Sequence, residues 1–111
     1  MNVEETVAGL VQELRRGTLI LMVLSQLQMP MYGYALVKKL NESGIPMDAN
    51  TLYPLMRRLE SQGMLQSSWN TDEAKPRKYY EITPEGREVL EKTKDYYQKF
   101  TANVNAMLEG E

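Results

Sequence analysis

The last quarter of the chain reads as one helix that is too long for the domain carrying it. Thr83-Pro84-Glu85 is a strong helix start. It offers a hydroxyl at the N-cap, a proline at N1 where a missing N–H costs nothing, and an acid in the first turn. The helical pattern continues to about Leu108, and some 25 residues at 1.5 Å per residue span roughly 37 Å. Its apolar positions are Val89, Leu90, Tyr96, Tyr97, Phe100, Val104, Met107 and Leu108. The residues upstream make too small a core to bury that whole stripe, so beyond about Tyr96 it faces water. An apolar patch of that kind marks an interface, and a two-fold homodimer is the simplest way to cover it. The expected interface is Tyr97, Phe100, Val104, Met107 and Leu108, supported by Val7, Leu10 and Val11 near the N-terminus.

The upstream segments alternate apolar periodicity with turn signals. Val3 to about Leu27 reads as helix, first with helical spacing and then apolar all round at Leu19 to Leu24, as in a helix buried on most sides. Gly17 is a candidate bend, and Gln28-Met29-Pro30 ends the element. Tyr32 to Ser43 reads as a second helix with Leu36, Val37 and Leu40 inside and Gly44 as terminator. Gly33 near its start has poor helix propensity, which points to a close approach by another backbone or a ligand. The third helix is capped by Asp48, with Asn50 as a second candidate, and closed by Gly63. Leu52, Leu55, Met56 and Leu59 form its inner stripe; Asn50, Pro54, Arg57 and Ser61 lie opposite, with Tyr53 and Arg58 on the flanks. Pro54 lies past the first turn and predicts a local irregularity.

Met64 to Asn70 and Arg77 to Thr83 then read as short strands joined by the polar loop TDEAKP. Leu65 and Trp69 share a face of the first; Lys78, Tyr80 and Ile82 share a face of the second. Of the pair Tyr79 and Tyr80, one ring belongs in the core and the other is half-exposed. Helix, helix, turn, helix, hairpin, long helix is the order of a winged helix-turn-helix. The fold class is therefore mainly α with a small β-hairpin. Residues 1–83 form the winged domain, with the wing at about 64–83, and residues 84–111 form the C-terminal dimerisation helix.

Three runs carry a family resemblance: YGYALVKKL from Tyr32, TLYPLMRRLESQGML from Thr51, and RKYYEITPEGREVL from Arg77. Together they strongly resemble the PadR family of bacterial transcriptional regulators, in particular its shorter members with a single C-terminal helix. By motif the resemblance covers Arg16 to Leu90. It implies that the third helix reads double-stranded DNA. A reading helix needs an apolar back and a front of donors that reach base edges or phosphates; Asn50, Thr51, Tyr53, Arg57 and Arg58 are such donors, and Pro54 is an apolar contact among them. Lys75, Arg77 and Lys78 on the wing suit phosphate or minor-groove contact, although Asp72 and Glu73 beside them dilute the field. Tyr32 (or Tyr34) and Lys38 (or Lys39) add a hydroxyl and a charge from the second helix, and the resemblance assigns Tyr32-Gly33 to the DNA-binding half. Each set also has a plainer reading, as a solvated helix face or loop, and one of Arg57 and Arg58 could pair with Glu60 or Glu42 instead. Some regulators of this family bind planar aromatic compounds between their subunits, which makes Tyr96, Tyr97 and Phe100 candidate effector contacts. Otherwise they pack the dimer.

Composition removes other classes. The chain has no cysteine and no histidine, so thiolate or imidazole metal sites and disulfides are excluded, and the commonest general base is missing. No catalytic residues, metal or cofactor are expected. The longest apolar run is too short to span a bilayer and the acidic N-terminus is unlike a signal peptide, so the expected location is the cytoplasm, away from the membrane. A net charge of -2 and a pI near 5.3 are the best support for a competing reading, a winged-helix protein-interaction module that never touches DNA. The leading expectation is a repressor that binds an inverted-repeat operator as a homodimer and responds to a small aromatic or amphipathic inducer.

Overall fold

The computed structural model describes residues 1–72 and 74–110. Its elements are α1 (Val3–Gln26), β1 (Met31–Tyr32), α2 (Gly33–Glu42), α3 (Ala49–Ser61), β2 (Leu65–Asn70), β3 (Arg77–Ile82) and α4 (Pro84–Leu108). The strands form an antiparallel sheet in the order β1-β3-β2, with Tyr32 opposite Tyr79, Leu65 opposite Ile82 and Trp69 opposite Lys78.

Side-chain caps start three of the helices. Asn2 accepts from the Glu5 amide at 3.1 Å, Asp48 from Thr51 at 2.8 Å, and Thr83 from Gly86 at 2.9 Å. Each satisfies an N–H that has no partner within its helix. Gly44 and Gly63 follow α2 and α3 with φ of 83° and 86°, a left-handed turn that glycine adopts without Cβ strain.

The core joins the end of α1 (Val23, Leu24, Leu27) to Leu36 and Leu40 of α2 and to Leu52, Met56 and Leu59 of α3. Leu65, Tyr80 and Ile82 of the sheet and Leu90 of α4 complete it. Tyr80 is the core ring and Tyr79 the half-buried one.

Several expectations are corrected. α1 runs through Gly17 without a break, and α3 runs through Pro54 as regular α-helix. Pro54 removes only the bond to the Asn50 carbonyl, and Asn50 is exposed, so water can take that acceptor. Leu19 to Met22 are half-buried rather than buried all round. Tyr32 belongs to β1 and caps α2 instead of opening it; a two-residue strand is too short to show periodicity. Gly33 answers to a side chain, since a Cβ there would lie 2.5 Å from the Tyr53 ring.

The junction between sheet and α4 is tightly tied. The Ile82 amide donates to the Leu27 carbonyl at 2.8 Å and the Thr83 amide to Met64 at 3.0 Å. The Thr83 hydroxyl donates to the Gly63 carbonyl at 2.6 Å while it caps α4. Arg87 donates to the Gln28 carbonyl and side chain at 3.1 and 3.3 Å. Thr83→Ala is therefore expected to cost about 2 kcal/mol, since the buried Gly86 amide loses its cap and the part-buried bond to Gly63 is lost with it. Thr83→Ser should retain most of that stability, and thermal denaturation of the two variants checks both.

Beyond this junction α4 departs from the domain. Residues 91–100 are all exposed, as are residues 1–14 of the other long helix. The chain exposes 8081 Å², against roughly 6,300 Å² for a compact monomer of its mass. Its radius of gyration is 16.5 Å, against roughly 13 Å.

Candidate nucleic-acid interface

The inner stripe of α3 holds Leu52, Met56 and Leu59 completely buried, and this fixes which residues point away from the core. Asn50, Thr51, Pro54, Arg57 and Arg58 are all exposed. Arg57 lies near the middle of the outer face and Arg58 on one flank, about 100° further around the helix. Arg58 lines an open groove of about 940 Å³ between α1 and α3, with Arg15, Arg16, Thr51 and Pro54. Arg57 lies outside that groove, about 60° around the helix from Glu60, which faces the wing. Glu60 is occupied there: it accepts from the Ser67 hydroxyl of β2 and lies 3.9 Å from the Lys78 ammonium of β3. It pairs with the wing rather than with an arginine of α3.

The wing cations are therefore not alike. Lys78 is half-buried, with its ammonium over the Tyr80 ring at 5.4 Å and beside Glu60. A pair this exposed adds little stability, but it fixes the lysine against α3. Arg77 lies over the Tyr32 ring at 4.4 Å, and Tyr32 meets Tyr79 edge-on at 5.7 Å. This aromatic stack holds the arginine on the opposite face of the wing. Lys75 is exposed at the tip; Glu73 lies outside the described residues. Lys38 is exposed on α2, as are Tyr34 and Lys39. Tyr53 is half-buried with its ring against Gly33, so it braces α2 against α3 more than it faces outward.

Two residues without a recognisable sequence signal set the angle of α3. The Asn41 side chain donates to the Met47 carbonyl at 2.7 Å and accepts from the Met47 amide at 3.2 Å, clamping the turn before α3. Arg15 of α1 donates to the Pro46 carbonyl in the same turn. The two Asn41 bonds close a local turn that matches no sequence motif, and the Arg15 bond depends on long-range packing that spacing in the sequence does not reveal.

Residues 20–92 match the family described as Transcriptional regulator PadR-like family. The chain belongs to the PadR-like family. Its members are transcription regulators, not enzymes. A solved PadR family transcriptional regulator from Eggerthella lenta is 54% identical, with a TM-score of 0.89 over 97% of this chain and 96% of that one. A PadR-like transcriptional regulator from Bacillus cereus is 30% identical, with a TM-score of 0.81 over 89% and 99%. A curated transcriptional regulator of Mycobacterium tuberculosis is 36% identical over 59 residues, 53% of this chain; the match spans 55% of that protein's length. These likenesses establish a PadR-type winged helix-turn-helix, and α3 is its second helix after the turn. Among the described residues, no helix is long and apolar enough to cross a membrane.

The aromatic residues expected at an effector site separate in this PadR-family chain. Tyr97 lines an open cleft of about 670 Å³ between α1, α4 and the turn before α3, with Val11, Thr18, Leu21 and Leu90. Tyr96 and Phe100 stack on each other, centroids 5.6 Å apart, on the exposed surface of α4.

Proposed function

We propose that this PadR-family regulator is a cytoplasmic repressor that binds an inverted-repeat operator as a homodimer. One observation carries the DNA-contact assignment. α3 presents Asn50, Thr51, Pro54, Arg57 and Arg58 to solvent from a fully buried apolar back, beside a wing bearing Lys75 and Arg77. Asn50 and Thr51, near the helix N-terminus, take base edges or phosphates; Arg57 and the wing cations take phosphates. Tyr32, Lys38, Tyr53 and Lys78 act mainly by holding or supplementing this surface.

The homodimer reading is supported by the exposed rows Val3, Val7, Leu10, Val11 on α1 and Tyr97, Phe100, Val104, Leu108 on α4. Residues 84–111 assemble the dimer and residues 1–83 read DNA, so two copies of α3 reach successive major grooves. The cleft at Tyr97 suits a small aromatic or amphipathic inducer. Because the turn before α3 forms one wall, a ligand there would bias the spacing of the two reading helices.

Fluorescence anisotropy with a labelled duplex from the region upstream of the chain's own gene tests this reading. Affinity should fall linearly with salt on logarithmic axes. Arg57→Ala should weaken binding and reduce that slope by about one, while Lys78→Ala, tied to Glu60, should weaken it less. No binding at low salt would instead favour a protein-interaction module, the reading that the pI near 5.3 supports.

A further inference from the structure

The one tryptophan of the chain is left unused by the surface described so far. Trp69 is 65% exposed near the outer end of β2. On a β-strand alternate residues share a face, so Trp69 shares its face with Leu65 and Ser67. Leu65 is in the core and Ser67 bonds Glu60 of α3, so this face of the wing is the one turned toward the reading helix. Directly across the ladder stands Lys78. Its ammonium lies over the Tyr80 ring and beside Glu60, and the indole stays 65% exposed. The wing thus carries its largest apolar group where the core has ended, at the seam with the side of α3 that bears Arg57.

The surroundings say what covers it. Arg57 is exposed on the adjoining side of α3, Lys75 at the tip, and Lys78 is the direct neighbour. An exposed ring opposite a lysine, on a hairpin whose exposed tip also carries Lys75, complements a polyanion with apolar sugar faces. We propose that Trp69 is a DNA contact, its indole lying against the deoxyribose–phosphate backbone at the edge of the groove reached by the wing. The inference rests on the DNA-binding reading above and extends it to a side chain with no charge. Such a contact strengthens binding to any duplex, because it buries apolar area without reading a base. It also releases no counterion, so it adds nothing to the salt slope.

The tryptophan is its own reporter. The full-length protein is titrated with an unlabelled random-sequence duplex of about 30 base pairs at low salt, and saturation is established by anisotropy with the same duplex labelled. On saturation, Trp69 emission should change and its quenching constant for acrylamide should fall by about half or more, since the complex covers the ring. Trp69→Ala should weaken duplex binding by about tenfold with an unchanged salt slope, and Trp69→Phe should recover most of the loss. Unchanged acrylamide quenching in a saturated complex overturns the proposal in the native protein, whatever the variants do. Wild-type affinity in Trp69→Ala also overturns it. So does a Trp69→Ala protein that sediments at a different assembly state, which would make the ring a contact between protein chains. If anisotropy detects no complex at all, the DNA-binding reading falls and this contact with it, an outcome distinct from a complex that leaves the indole exposed.

Discussion

Gly86→Ala is expected to destabilise the protein by about 3 kcal/mol and to lower its melting temperature by roughly 10–20 °C. The direction runs against local propensity, because alanine in a helix is ordinarily better than glycine by about 1 kcal/mol. Here a Cβ would lie 2.8 Å from Ile82 Cγ1 and closer still to the Met64 carbonyl oxygen. That carbonyl cannot retreat cheaply, since it accepts the Thr83 amide at 3.0 Å. The first turn of α4 is thus pressed against backbone, and relief would require shifting α4 or breaking the junction to β2. Gly9→Ala and Gly17→Ala are the controls, as a Cβ at either position meets nothing within 4 Å; both should be neutral or slightly stabilising. Calorimetry of the three variants decides the matter. A Gly86→Ala protein that melts at or above the wild-type temperature would refute the close-packing account.

Gly86 also illustrates what was legible in the sequence. Thr83-Pro84-Glu85, Asp48, Gly44 and Gly63 marked helix ends because capping and left-handed turns depend on residues within three or four positions. The stripe of Leu52, Met56 and Leu59 was legible for the same reason, since a helix imposes its period locally. The purpose of Gly86 was not, because its crowding comes from Met64, far away along the chain. Strand alternation put Arg77 and Lys78 on opposite faces, but their partners were not legible: one meets Tyr32 through strand register and the other meets Glu60 through the packing of α3. The Tyr53 ring carried a donor that looked suited to DNA, yet the space above Gly33 claims much of it. The run from Leu19 to Leu24 had the composition of a fully buried helix, while the single chain leaves Leu19 to Met22 half-buried. In the proposed homodimer a second copy would supply further cover for this run.

That last point leads to the second large effect. Phe100→Asp together with Val104→Asp is expected to convert the proposed dimer to a monomer at micromolar concentration. The two residues are one helical turn apart, so both charges fall on one face of α4, beside the exposed Tyr97 and Leu108. Within one chain they disturb nothing buried: Phe100 is 52% exposed and Val104 36%, and the last buried side chain of α4 is Leu90. In a two-fold interface each substitution occurs twice, placing four carboxylates where apolar surface was covered, and an unpaired buried charge is heavily penalised. The winged domain should keep its fold while the free end of α4 frays, since a projecting helix without packing is marginally stable in water. Binding to a duplex with two half-sites should weaken by about a hundredfold, because the linked second reading helix is lost. Binding to a single half-site should change little, since α3 and the wing are untouched. Sedimentation velocity and anisotropy on the two duplexes separate these effects. A variant that still sediments as a dimer would remove α4 from the interface, and a monomer that binds the two-site duplex as tightly as the wild type would show that the reading helices act singly.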